Sequence, residues 1–177
     1  MKLTAFEAVT SALGKAKVRF LVAGGLAVNA HGYMRTTFDV DLVIQLDADN
    51  IAKAFKTLET IDYKPSVPVT AEQFSDPKQR NAWIKHKHMQ VLNFHSPQYP
   101  HAPVDVFVTE PFDFNSEYKA ALVGRPLEHL VVRFVSIPTL IKMKQIANRP
   151  KDLDDIEHLH IIVRNQPNNR SNGTKKR

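Results

Sequence analysis

Asp39 and Asp41 stand two positions apart in FDVDLVI, residues 38–44. Side chains alternate across a strand, so both carboxylates project from one face, with Cβ atoms roughly 7 Å apart. Phe38, Val40 and Leu42 then project from the other face, toward a core. Two ionised carboxylates on an apolar strand repel each other and are costly to desolvate unless a cation compensates them. A divalent cation does this. Mg2+ takes oxygen ligands and is often held by a few carboxylates together with substrate phosphates. Two such ions about 3.5–4 Å apart can clamp the attacking and leaving oxygens of a phosphoryl displacement. The same pair also fits a half-exposed strand with a polar face, so the neighbouring sequence has to decide.

Gly24 and Gly25 in FLVAGGLAV fall where a strand meets a helix. Glycine there lets backbone N–H groups approach an anion at the positive end of a helix dipole; a tight turn is its plainer use. Arg35 suits a bidentate contact with a phosphate. Thr37 offers a hydroxyl to the same group, or simply favours the strand. Asp105, the single charge in PVDVFVT, is a candidate third carboxylate, with Val104, Val106 and Val108 on one face and Phe107 on its own. If its strand pairs beside that of Asp39, Asp105 joins the other two. Otherwise it is a surface position on an edge strand.

The elements that position these residues follow from periodicity. Leu3, Phe6, Val9 and Leu13 make one stripe of a helix over 3–16. VRFLVA (18–23) reads as a strand, residues 25–32 as a short helix ending at Gly32, and about 39–46 as the strand carrying the two aspartates. Asp49 or Asn50 caps the next helix, through about Thr60. Residues 61–80, with Pro65, Pro68 and Pro77, read as loop, and 78–86 as a helix. Residues 88–95, 104–109 and 127–135 read as strands. Ser136 caps a helix over 136–147, and a last helix opens at Lys151 or Asp152 and runs to about Asn165. This order predicts a mixed α/β (α+β) domain, with helices flanking a mixed central sheet and helices at the C-terminus.

Composition bounds the answer further. A chain of 177 residues, 43% hydrophobic and 24% charged, suits one folded domain. The lack of cysteine excludes disulfides and thiolate-based zinc or iron–sulfur sites and makes the cytoplasm the default location. The first twenty residues lack signal-peptide character, and no stretch approaches the ~18 apolar residues of a membrane span. Residues 167–177 carry Arg170, Lys175, Lys176 and Arg177 and no acid, supplying +4 of the +6 net charge. This tail reads as disordered, serving as a solubilising end or as a weak arm for nucleic-acid phosphates. His86 with His88, and His158 with His160, each resemble half of a metal site, but i,i+2 residues of a helix diverge. His31 either orients a ligand or packs, and Trp83 reads as core. No P-loop, H-E-x-x-H or G-x-S-x-G motif is present.

GGLAVNAHG, RTTFDVD, VDVF and LIKMKQIANRPKDLDDIEHL together resemble the nucleotidyltransferase superfamily of the DNA polymerase β type, most closely its AbiEii-like and related stand-alone bacterial members. The likeness spans roughly residues 18–160, with no motif over 60–100. It implies a nucleotidyltransferase core over 1–135 and a C-terminal helical pair over 136–166 packed on it. It implies that Asp39, Asp41 and Asp105 are catalytic and hold Mg2+, two ions in all, with Asp105 as third ligand or general base. Gly24 and Gly25 would line the NTP phosphates, with Arg35 and Thr37 near them, and Lys144 or Lys142 would reach the triphosphate. Lys151, Asp152 and Asp155 match the late motif. As plain physical chemistry, the two lysines equally fit a solvated helix face, and the two acids a helix N-terminus. The expected activity is Mg2+-dependent transfer of an NMP from an NTP to an acceptor hydroxyl, with release of pyrophosphate. RNA is the expected acceptor of a toxin-like member with a cognate antitoxin protein. A small antibiotic-type acceptor, or a non-catalytic antitoxin-like role, are the alternatives.

Overall fold

Short apolar runs bounded by glycine, proline or polar residues form the strands, and amphipathic runs form the helices. In the computed structural model, which describes residues 4–128 and 130–165, the order is α1 (Ala5–Lys15), β1 (Phe20–Val22), α2 (Gly24–Ala30), β2 (Val40–Ile44), α3 (Ala48–Thr60), β3 (Lys64–Pro65), α4 (Ala71–Ser75), α5 (Pro77–Lys87), β4 (Val91–His95), β5 (Val104–Phe107), α6 (Phe114–Ala120), β6 (Leu122–Leu127), β7 (Leu130–Phe134), α7 (Ile137–Ala147) and α8 (Pro150–Asn165). The strands make one mixed sheet in the order β3-β4-β5-β2-β1-β7-β6. β2 lies at its centre, antiparallel to β1 and parallel to β5. Val40, Leu42, Val43, Ile44, Val104 and Val106 are all buried, so this register fixes which face the intervening polar residues take. Among the described residues no helix is long and apolar enough to cross a membrane.

Local chemistry sets the ends. Thr4 and Glu7 form a capping box at the start of α1. The cap of α3 is Asp47, which accepts from Asn50 N–H at 2.9 Å, rather than Asp49 or Asn50. Asp47 is the last extended residue before the helix, where a cap must sit. Asn50 is buried instead, and its amide bonds both the N–H and the carbonyl of Arg19. Ser136 holds the cap position of α7 without capping it; its N–H donates to Glu117 Oε1 at 2.6 Å.

Several expectations need correction. Phe38 does not reach the core and is 65% exposed, because it precedes the ladder, which begins at Val40. The stretch 61–80 is not all loop: it holds β3 and α4, the latter started by a Thr70–Gln73 capping box. α6 and β6 were hidden from periodicity. α6 is short and polar, capped by Asp113, and β6 is an edge strand whose register shifts between Gly124 and Leu127. Leu3 and the tail 167–177 lie outside the described residues.

Candidate active site

The centre of the sheet brings the carboxylates together. Asp41 of β2 and Asp105 of β5 are direct register partners, and Asn93 of β4 is the partner of Asp105 on its other side. All three side chains lie on the face opposite Val40, Leu42, Leu92, Phe94, Val104 and Val106. Asn93 Nδ2 donates to Asp105 Oδ1 at 2.7 Å. Burial first, then the charges of Asp105 and Asp39, push Asp41 up to about 6. Arg149 and Lys144 pull it the other way through space without touching it. Burial likewise raises Asp105; the Asn93 hydrogen bond lowers it, and the charge of Asp39 raises it. Among the described residues, none of these three carboxylates takes part in an ion pair.

The glycine doublet serves this cluster by having no side chains. Gly24 sits at φ +60°, and a Cβ there would lie 1.8 Å from Asp41 Oδ2. A Cβ on Gly25 would meet Thr37 Oγ1 at 2.6 Å and Arg35 Nη2 at 2.7 Å. Gly24, Gly25, Arg35, Thr37 and Asp41 therefore occupy one neighbourhood. The segment leading into β2 alternates outside the sheet: Tyr33, Arg35, Thr37 and Asp39 are half-buried while Met34 and Phe38 face outward. Asn29 fixes it by bonding both the N–H and the carbonyl of Arg35, at 3.0 and 2.9 Å. His31 Nε2 meets the Val135 carbonyl at 2.8 Å, a packing role.

A second charged cluster adjoins the first. Lys144 is buried, its Nζ 3.2 Å from Asp152 Oδ1 and 2.5 Å from Asp155 Oδ2. Arg35 Nε lies 2.7 Å from Asp155 Oδ1, an ionic contact in which the N–H does not point at the oxygen. Arg149 Nε bonds Asp152 Oδ2 at 2.8 Å, and its backbone N–H bonds the same oxygen at 3.1 Å. Burial alone would raise Asp152; bonds from the Arg149 side chain and backbone and from Lys144 outweigh it and bring Asp152 down to about 2. Three cations thus face two carboxylates, leaving one positive charge in excess. Lys144 engages internal carboxylates, whereas Lys142 and Lys151 are exposed.

Sequence reasoning missed Asn93, Arg149, Asn29 and the clamp in which Tyr33 stacks on His158 at 3.7 Å and donates to Asp154 Oδ2 at 2.7 Å. Asn93 was visible as the polar position in VLNFH, and Arg149 lies within the late motif. The Tyr33 clamp joins residues 121 apart and left no local signal.

Among the described residues, no three His, Asp or Glu side chains are gathered as tightly as a bound metal ion gathers them. The donor chemistry nevertheless fits Mg2+. Asp41 is a half-buried carboxylate that forms no ion pair among the described residues, flanked by two more carboxylates that offer hard oxygens.

No family model matches the chain, and no curated protein matches it. Solved structures do. The solution structure of the antibiotic-resistance factor ANT(2'')-Ia superposes with a TM-score of 0.56 at 11% identity, over 89% of this chain and 82% of that one. ANT(2'')-Ia in complex with adenylyl-2''-tobramycin gives 0.54 at 10% identity, over 90% and 92%. The lincomycin-bound lincosamide antibiotic adenylyltransferase LnuA gives 0.55 at 17% identity, over 92% and 99%. At these identities the likeness establishes the fold: a mixed α/β nucleotidyltransferase fold with a seven-stranded sheet.

Proposed function

We propose that the protein is an Mg2+-dependent nucleotidyltransferase that moves an NMP from an NTP to an acceptor hydroxyl and releases pyrophosphate. The observation that carries this reading is the register pair Asp41↔Asp105, bordered by Asp39 and ion-paired to no cation among the described residues. Asp39, Asp41 and Asp105 would hold two Mg2+ ions, which when bound supply positive charge to the phosphoryl oxygens. Gly24, Gly25, Arg35 and Thr37 would bind and orient the NTP phosphates. Arg149, with its side chain 57% exposed, is the cation of the second cluster most open to them. Lys144 acts by position, holding Asp152 and Asp155 so that Arg35 and Arg149 are fixed and the excess charge faces the leaving pyrophosphate. Asn93 occupies Asp105 Oδ1, which leaves Oδ2 to accept the proton of the acceptor hydroxyl.

For the acceptor we favour RNA, in a cytoplasmic, toxin-like member close to the AbiEii-like group, with a cognate antitoxin protein and with residues 1–135 and 136–166 as core and helical pair. A small antibiotic-type acceptor is the second reading, favoured by the fold likeness to structures described with tobramycin and lincomycin. The G-G-x-A-V form at 24–28 counts against a non-catalytic, antitoxin-like role. The test is label transfer from α-labelled NTPs to total RNA, and in parallel to aminoglycosides and lincosamides. Asp39→Asn abolishes transfer. Unchanged transfer by that variant removes the carboxylates from the reaction.

A further inference from the structure

The opposite end of β1 carries charge that the proposed reaction does not use. Gly24 follows β1 at the carboxylate end and Arg19 precedes it at the other, a five-residue step of roughly 16 Å at strand rise. Three adjoining concavities open around Arg19 and the C-terminal end of α1. The first contains Lys17, Arg19 and Arg133; it shares Gly14 and Val131 with a second, which contains Lys15. The second shares Lys15 with a third, which adds Lys53 and Lys56 of α3. Six cations thus line one track of adjoining concavities, and among the described residues no Asp or Glu lines any part of it.

The two arginines are held in place without being neutralised. Their guanidinium carbons lie 4.7 and 4.6 Å from the centroid of the Tyr118 ring, in cation–π contact. Arg19 also lies 5.4 Å from the centroid of the Phe114 ring and donates to the neutral Gln45 and Asn115 amides, and Arg133 donates to the Tyr118 carbonyl. Lys15 and Lys17 also complement the C-terminal dipole of α1, which explains two of the six cations but not Lys53 and Lys56 within α3 or the ring-held arginines. Because Tyr118 is already engaged by guanidinium groups, the track offers a ligand charge rather than an aromatic face for bases.

We infer that this track binds the phosphate backbone of a single-stranded polynucleotide, without base specificity, at a site separate from the carboxylates. A row of fixed and mobile cations across adjoining concavities matches a chain of regularly spaced phosphates better than a single small anion. The inference concerns a surface remote from Asp39, Asp41 and Asp105 and holds whether or not nucleotidyl transfer occurs.

The test is fluorescence anisotropy of a labelled single-stranded oligoribonucleotide with the full chain, in EDTA and without NTP, across a KCl series. The wild type binds, with a log–log salt slope of about −0.7 per phosphate contact. The variant K15Q/K17Q/K53Q/K56Q binds at least about tenfold more weakly at low salt, with a slope shallower by roughly 2–3. K53Q/K56Q alone, two exposed positions, shows about half that change and keeps the test decisive if the quadruple variant misfolds. K85Q/K87Q on α5, outside the track, leaves affinity and slope unchanged. The inference is overturned if the wild type does not bind, if the track variants bind like wild type, or if K85Q/K87Q weakens binding equally. It is also overturned if binding disappears only when Arg170, Lys175, Lys176 and Arg177 become glutamine, or if the chain binds phosphatidylserine vesicles but not RNA. Transfer assays with Mg2+ and NTP report separately on the carboxylates, so either reading can fail alone.

Discussion

Two groups of aspartates sit side by side in this molecule, and Asp152 of one is shifted down while Asp41 and Asp105 of the other are shifted up. Asp152 and Asp155 are fully buried, yet Arg35, Lys144 and Arg149 surround them, and Asp152 is held down at about 2. Asp39, Asp41 and Asp105 are less buried, yet Asp41 is pushed up to about 6. Solvent exposure alone therefore does not set the sign of the shift: burial raises Asp41, which has no bonded cation, while bonds from Arg149 and Lys144 overcome burial at Asp152. The first group is closed, its charges answered from within the chain. The second is open, and what would answer it has to come from solution.

The contrast can be broken from either side. The largest effect is expected on the closed side. Lys144→Met leaves two buried carboxylates short of a cation and costs about 3–5 kcal/mol, read as a drop in urea midpoint. The variant K144M/D152N/D155L restores part of that loss, since the buried carboxylates leave with the lysine while Arg35 and Arg149, both partly exposed, keep access to water. If the single and triple variants are equally unstable, the cluster is not the closed unit described.

Gly24→Ala is next, at about 2–3 kcal/mol, because an L side chain at φ +60° is strained and its Cβ would overlap the Asp41 carboxylate. Gly25→Ala meets the flexible end of Arg35 but also Thr37 Cβ at 2.8 Å, which moves only with its backbone, so it costs about 1–2 kcal/mol despite a gain in helix propensity. It weakens NTP binding as well, which calorimetry measures directly.

On the open side the sign reverses. Asp41→Asn removes a strained charge and stabilises the metal-free protein by up to about 2 kcal/mol at pH 7. Because Asp41 titrates above its ordinary value, the stability tied to its protonated form is present below about pH 4 and lost as pH rises through about 6. The advantage of the variant is thus absent in acid and grows between those limits. Asp152 runs the other way: its contribution is present above about pH 4 and lost as pH falls through about 2. Thermal melts of the two asparagine variants across pH separate the windows. The smallest expected effect is a rise of a few degrees in wild-type Tm on adding Mg2+, missing in Asp41→Asn. An equal rise in both would detach the metal from Asp41.

Much of this was legible in the sequence, for reasons that differ from residue to residue. The facing of Asp39 and Asp41 is a consequence of strand alternation and needs no tertiary information. The glycines mark a close approach, though not what approaches; only the coordinates show Asp41, Arg35 and Thr37 in the space their missing Cβ atoms leave. The pairing of Asp105 beside Asp41 joins positions 64 apart, and no local pattern encodes a parallel partner at that distance. Lys144 shows the deepest limit. A lysine that reaches a triphosphate and one that neutralises Asp155 look the same in a helical pattern, because charge alone does not name its counterion.

The parallel pairing of β2 with β5 has a further consequence for biosynthesis. Sliding either strand by one residue would drive an aspartate into the valine layer, so these aspartates also police the alignment of the sheet. A nascent chain cannot assemble the site until β5 has docked on β2, long after β2 has been made. The cluster is thus acquired late and all at once, and a half-made or misaligned chain lacks it.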